Sequence, residues 1–215
     1  AVDVLHDLVA VAPLGQFSAV LVIHPSVPAK TVAELVALAR RKPGQISFGT
    51  PGHGTGFHLA TELFKARSRI NAVHVPYAST SPMLADLMGG RTEMMIFSVI
   101  VMAPHVKAGK LKLLAVTEAQ RSPLLDGTPA VAETVPNYEL AVWYGAFGPK
   151  GMDPGLVRRL NKEINVVLAK PDVIKKMNDM AVELRQSTPE AFAQLLERDA
   201  KKYGDLVNQL GIKAE

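Results

Sequence analysis

The stretch Ser47-Phe48-Gly49-Thr50-Pro51-Gly52-His53-Gly54-Thr55-Gly56-Phe57-His58 constrains the fold more than any other part of the chain. A short strand pattern leads into it, and the helical pattern Leu59-Ala60-Thr61-Glu62-Leu63-Phe64 leads out. Glycines and threonines between a strand and a helix let the backbone approach a ligand closely and turn several N–H groups towards it. A helix start carries partial positive charge, so the preferred guest is an anion, most simply a carboxylate or a phosphate. The spacing is neither GxxxxGK[ST] nor GxGxxG, and no lysine stands where a phosphate-binding loop needs one. That argues against a nucleotide. The loop by itself leaves two readings open, an anion cradle and a plain strand-to-helix turn.

Around the loop, strand and helix signals alternate. Ala19-Val20-Leu21-Val22-Ile23 is an apolar run of strand length, and Thr31-Val32-Ala33-Glu34 reads as a capping box before Leu35, Leu38 and Ala39 at helical spacing. Pro43-Gly44 closes that helix and Ile46-Ser47-Phe48 opens a strand. Beyond the loop come a helix over 59–66, a strand over 72–75, a helix from Thr80 to Gly89-Gly90, a strand over 93–97, a short helix over 104–108 and a strand over 111–116. Such alternation predicts an α/β fold with a mixed, mainly parallel sheet whose ligands bind outside the carboxyl ends of the strands. The glycine loop, the segment after His74-Val75-Pro76-Tyr77 and the segment after Phe97-Ser98 fall at such ends.

The last third has a different pattern. An apolar strand over 140–147 holds the single tryptophan, Trp143, and helices follow over 154–168, 171–180 and 189–210, each with proline in its first turn. Leu156, Leu160, Ile164, Val167 and Leu168 are expected to form one buried stripe. No strand is expected among these helices, so they need a surface to cover.

Composition narrows the function. The 215 residues suit one large domain or two small ones, and the net charge of +4 comes from scattered basic residues with few aromatics near them, which disfavours nucleic acid. Runs such as Arg40-Arg41-Lys42 suit helix ends. Absence of cysteine excludes disulfides and thiol catalysis. No apolar run approaches the roughly 20 residues of a membrane span. The opening Ala1-Val2-Asp3 has no signal-peptide core, so either a leader has been removed or the chain begins within a larger protein. The six histidines show neither H-E-x-x-H nor close pairing, so no metal and no cofactor is expected. His53 reads equally as a ligand contact or a turn residue, His58 as a support of the loop, and His74 as structural. Met94, Met95 and Met102 read as core, and Glu62, Asp86 and Glu93 as solvated surface. Ser47 and Ser98 lack a nucleophile elbow, so the chain is not read as an enzyme. The alternative is an α/β hydrolase or transferase that uses the glycine loop as an oxyanion site.

Several segments in order and at the right spacing resemble a known family: Val27-Pro28-Ala29-Lys30-Thr31-Val32-Ala33-Glu34-Leu35, the glycine loop through His58-Leu59-Ala60, His74-Val75-Pro76-Tyr77, Pro104 to Leu111, and Leu114-Ala115-Val116-Thr117. Arg121-Ser122-Pro123, Pro129-Ala130-Val131-Ala132-Glu133, Trp143-Tyr144-Gly145 and Leu160-Asn161 continue it. Together they resemble the periplasmic solute receptors of tripartite tricarboxylate transporters, the Bug family. The resemblance implies a periplasmic-binding-protein-like fold of two lobes that hinge at crossing strands near Val11 and Val142. Residues 18–142 would be the second, ligand-binding lobe. Residues 1–17 and 143–215 would be the remnant of an incomplete first lobe that lacks its opening part. It further implies a small organic acid as ligand, membrane components of the transporter as partners, and a periplasmic location. Self-association into a homo-oligomer through exposed first-lobe helices is also expected. Carried over, the candidate ligand residues are Thr50, Gly52, His53, Gly54, Thr55, Tyr77, Ser79 and Ser98. Ser98 stands where many relatives have an acid, which favours a ligand without an ammonium group, and Ala78 replaces a frequent Lys or Arg.

Overall fold

A computed structural model of the chain describes residues 3–125 and 127–211; the expected segment ends at 1–2 and 212–215 lie outside the described residues. Contacts divide the chain into two compact units, one holding the residues up to Phe17 with Val142–Asp205, the other Ser18–Ala141 with the residues from Leu206 on.

The Ser18–Ala141 unit is built on a five-stranded sheet. Its strands are β2 (Ala19–Ile23), β3 (Ile46–Thr50), β4 (Ala72–Pro76), β5 (Met94–Ser98) and β6 (Lys112–Val116), in the order β4-β3-β5-β2-β6. The sheet is mixed, as expected: β3 runs parallel to β4 and β5, whereas β2 is antiparallel to β5 and β6. The antiparallel half arises because β2 enters the sheet from the opposite direction between two strands that come much later in the chain. Every residue of β2 and β5 is buried, as continuous apolar runs covered on both faces should be.

Helices α2 (Val32–Arg41), α3 (Gly56–Ser68), α4 (Thr80–Met88) and α5 (Val99–Lys107) connect the strands. The capping box holds in a variant form: Thr31 Oγ1 accepts from Glu34 N at 3.1 Å, but Glu34 returns to Lys30 N at 2.6 Å rather than to Thr31. Helix α5 starts five residues before the expected Pro104, because burial of Val99 and Met102 sets a turn ahead of the proline. Met94, Met95 and Met102 are fully buried, as read from the sequence.

The other unit carries α1 (Val4–Asp7), β1 (Leu8–Phe17), β7 (Val142–Pro149), α6 (Pro154–Leu168), α7 (Pro171–Asn178), β8 (Val182–Leu184) and most of α8 (Pro189–Leu210). Proline opens each of the last three helices, as expected. Two expectations fail here. These helices do have strands among them: β8 joins β1 and β7 in an antiparallel sheet of order β7-β1-β8. Three residues with a central glutamate were too short and too polar to register as a strand. The buried stripe of α6 is also rotated. Val157, Asn161 and Leu168 are buried, while Leu156, Leu160 and Val167 are exposed. Asn161 fixes that rotation, because its Nδ2 donates to Val11 O at 2.8 Å and Ser187 O at 2.9 Å. Glycine at position 145 is required for packing, since a Cβ there would lie 2.0 Å from the Phe192 ring.

Candidate ligand site at the glycine loop

Because β3, β4 and β5 are adjacent and parallel, their carboxyl ends share one edge of the sheet. Helices α3, α4 and α5 all start there. None of the three has an acidic residue in its first turn. Every other helix carries one at its cap or first turn: Asp3 and Asp7, Glu34, Asp153, Asp172 and Glu190. The edge is kept free of internal negative charge at three positive helix ends.

The loop between β3 and α3 is held from inside. Thr50 is fully buried, and its hydroxyl meets His74 Nε2 and Gly52 O. Thr55 is the N-cap of α3: its Oγ1 accepts from His58 N at 3.3 Å and donates to Gly52 O at 3.0 Å. His58, buried in the first turn, accepts the Gly54 amide on Nδ1 at 3.2 Å, the loop-supporting role read from the sequence. Gly52 and Gly54 have φ of +117° and +73°, and only glycine takes these without strain. Among the described residues, the amides of His53, Thr55, Gly56 and Phe57 have no partner within the protein. Free amides at and just before the positive end of a helix are the kind of donors that an anion can use.

A family model, the tripartite tricarboxylate transporter family receptor, matches residues 2–212. The chain belongs to this receptor family. A Pseudomonas sp. (strain P51) protein from the tcbD-tcbE intergenic region is 34% identical over 211 residues, covering 97% of this chain and 63% of that protein. Protein BugT of Bordetella pertussis is 28% identical, covering 98% and 65%. The chain thus spans a little less than two thirds of the length of these relatives. The solved structure of R. palustris Rpa4515 with adipate superposes with a TM-score of 0.90 at 30% identity, over 98% of this chain and 71% of that one. The periplasmic binding protein BugD shares the fold, with a TM-score of 0.84 at 23% identity over 97% of this chain and 71% of that one.

Within this member of the family, Thr50, Gly52, His53, Gly54 and Thr55 come together in the loop as described. Ser79 and Ser98 cap α4 and α5 without a side-chain capping bond, so both hydroxyls are uncommitted among the described residues. The Phe57 ring lies 4.3 Å from that of Phe97, which ties the first turn of α3 to the end of β5 beside Ser98. Tyr77 differs, because its hydroxyl donates to Asp86 Oδ2 at 2.7 Å. Burial, then that contact, pushes the phenol up to about 12.

The acids read as solvated surface are structural instead. Asp86 binds both Tyr77 and Arg91, Glu93 accepts from the Ser47 amide and hydroxyl at 2.7 Å each, and Glu62 pairs with Lys65 at 2.7 Å. The reading that no histidines pair closely is also overturned. His53, His58 and His74 gather with one ring nitrogen each within 4.8 Å of the other two. His58 and His74 stack at 4.2 Å, and His53 meets both edge-on. Burial holds His58 below the usual histidine range, and burial followed by the neighbouring His58 and His53 brings His74 down to about 4. Spacing along the chain could not show this, because His74 arrives through the parallel register that sets it opposite Phe48.

Proposed function

We propose that this chain carries the ligand site of a periplasmic receptor that holds a small organic acid by one carboxylate at the start of α3. The unpartnered amides of Thr55, Gly56 and Phe57, on an edge where three helices begin without an acid, carry this reading. Each hydrogen bond to a charged acceptor contributes about 1.5–3 kcal/mol. Three of them, less the cost of association, leave an affinity of about millimolar order for this site alone. Ser79 and Ser98 take the far end of the ligand, and the neutral Ser98 gives no partner to an ammonium group. The likeness to the adipate-bound Rpa4515 makes a flexible dicarboxylate the first compound to test.

On this reading residues 18–142 are the binding lobe, residues 1–17 and 143–215 belong to the other lobe, and the membrane components of the transporter are the partners. Exposed Leu156, Leu160 and Val167 on α6 support self-association, which sedimentation at several concentrations tests. No observation favours a hydrolase or transferase: among the described residues no histidine bonds to the Ser47 or Ser98 hydroxyl.

Calorimetric titration with succinate, adipate, citrate and glutamate, in the presence of a chelator, tests the reading. Adipate should bind more tightly than glutamate, and Thr55→Ala should weaken it at least tenfold. No binding of any of the four acids by a folded chain would overturn it.

A further inference from the structure

We propose that His53, His58 and His74 form a binding site for a divalent cation of the zinc class, next to the carboxylate cradle and distinct from it. Three different elements supply the ligands: the loop gives His53, the first turn of α3 gives His58, and β4 gives His74. Imidazole nitrogen is the donor that zinc, cobalt, nickel and copper share as a preferred ligand, and three such donors with an open fourth position make a recurrent zinc site.

The hydrogen bonds around two of the rings already have the form of an outer shell. His58 accepts the Gly54 amide on Nδ1, so its proton sits on Nε2, which faces Glu62 Oε1 at 3.8 Å. A metal at Nδ1 replaces the Gly54 amide and leaves Nε2–H directed at a carboxylate, the arrangement that orients ligating histidines elsewhere. When the Thr50 hydroxyl donates to Gly52 O, His74 donates from Nε2 to Thr50 Oγ1 and presents a free lone pair on Nδ1. Lys65, whose charge acts on both His58 and His74, is paired with Glu62 at 2.7 Å. Burial keeps His58 and His74 in the neutral, ligating form.

Geometry requires a defined adjustment. Nitrogens around a tetrahedral zinc stand roughly 3.4 Å apart at Zn–N bonds of about 2.0–2.1 Å. The present spread reaches 4.8 Å, and the rings of His58 and His74 are stacked, with centroids 4.2 Å apart, rather than converging on one point. Ion binding therefore tilts those two rings apart and draws His53 inward. His53 can move: it is exposed, and Gly52 and Gly54 on either side have open space around them.

The test is titration of the chelator-stripped chain with Zn²⁺ by calorimetry and with Co²⁺ by its visible ligand-field bands. One ion per chain and a tetrahedral Co²⁺ spectrum are expected. His53→Asn, at an exposed position, should weaken binding at least tenfold with an unchanged melting curve. His74→Asn should weaken it more, Glu62→Gln by about tenfold, and His105→Asn not at all. Absence of stoichiometric binding, or binding indifferent to both His53→Asn and His74→Asn, would overturn the site. Carboxylate titrations run in chelator are unaffected by either result, so the two readings stand or fall separately.

Discussion

Helix α3 begins at Thr55, with glycine next and no acid in its first turn. Helix α6 begins at Asp153, whose carboxylate accepts the Leu156 amide at 2.8 Å, with proline next. In α6 an internal anion fills the positive end, and proline removes one N–H that would otherwise need a partner. In α3 a neutral cap holds the first turn and leaves its amides to an outside guest. The two helices also treat their faces differently. Helix α3 buries Leu59, Leu63 and Phe64, whereas α6 buries Asn161 between Val157 and Leu168 and leaves Leu156 and Leu160 exposed. One helix leaves its first-turn amides open, and the other closes its own end and fixes its orientation.

Giving α3 the cap of α6 attacks the comparison most directly. Thr55→Asp should cut carboxylate affinity about a hundredfold by calorimetry while the helix keeps an N-cap, at a cost of about 1 kcal/mol in stability because aspartate cannot donate to Gly52 O as Thr55 does. Unchanged affinity would break the contrast. Next in size is Asn161→Ala, which leaves Val11 O without its donor and Ser187 O with only that of Asn165, and should cost about 2 kcal/mol in chemical denaturation. Asp153→Ala should cost about 1 kcal/mol and leave ligand binding untouched.

The smallest effect concerns a carboxylate already held in such a cradle. Glu133 accepts from Ala130 N at 2.8 Å and from Arg121, and these contacts, the arginine first, hold it down at about 2. Its stabilising contribution is complete above its ordinary value of 4.5 and is lost as pH falls towards 2. A carboxyl titration by NMR should place Glu133 among the most acidic glutamates, and Arg121→Gln should move it back up.

Local chemistry was the legible part of this chain. Proline at helix starts, glycine after helix ends and the apolar run 19–23 marked the elements because each acts within a few residues. The candidate site was legible as a loop, since Gly52 and Gly54 are needed wherever they fold. What depended on register was not. Glu93 finds Ser47, and His74 joins His58, only once parallel strands align. The buried face of α6 was misread because periodicity counts leucines, whereas one asparagine bonded to the buried Val11 carbonyl and to Ser187 O outweighs them.

The position of β2 between β5 and β6 also bears on synthesis. Ala19–Ile23 leaves the ribosome first, but its two neighbours, Met94–Ser98 and Lys112–Val116, follow only much later. In the interval a short, uncharged, β-prone segment travels without its mates, the kind of sequence that pairs with copies of itself. Both edges of β2 are satisfied only once Val116 has emerged.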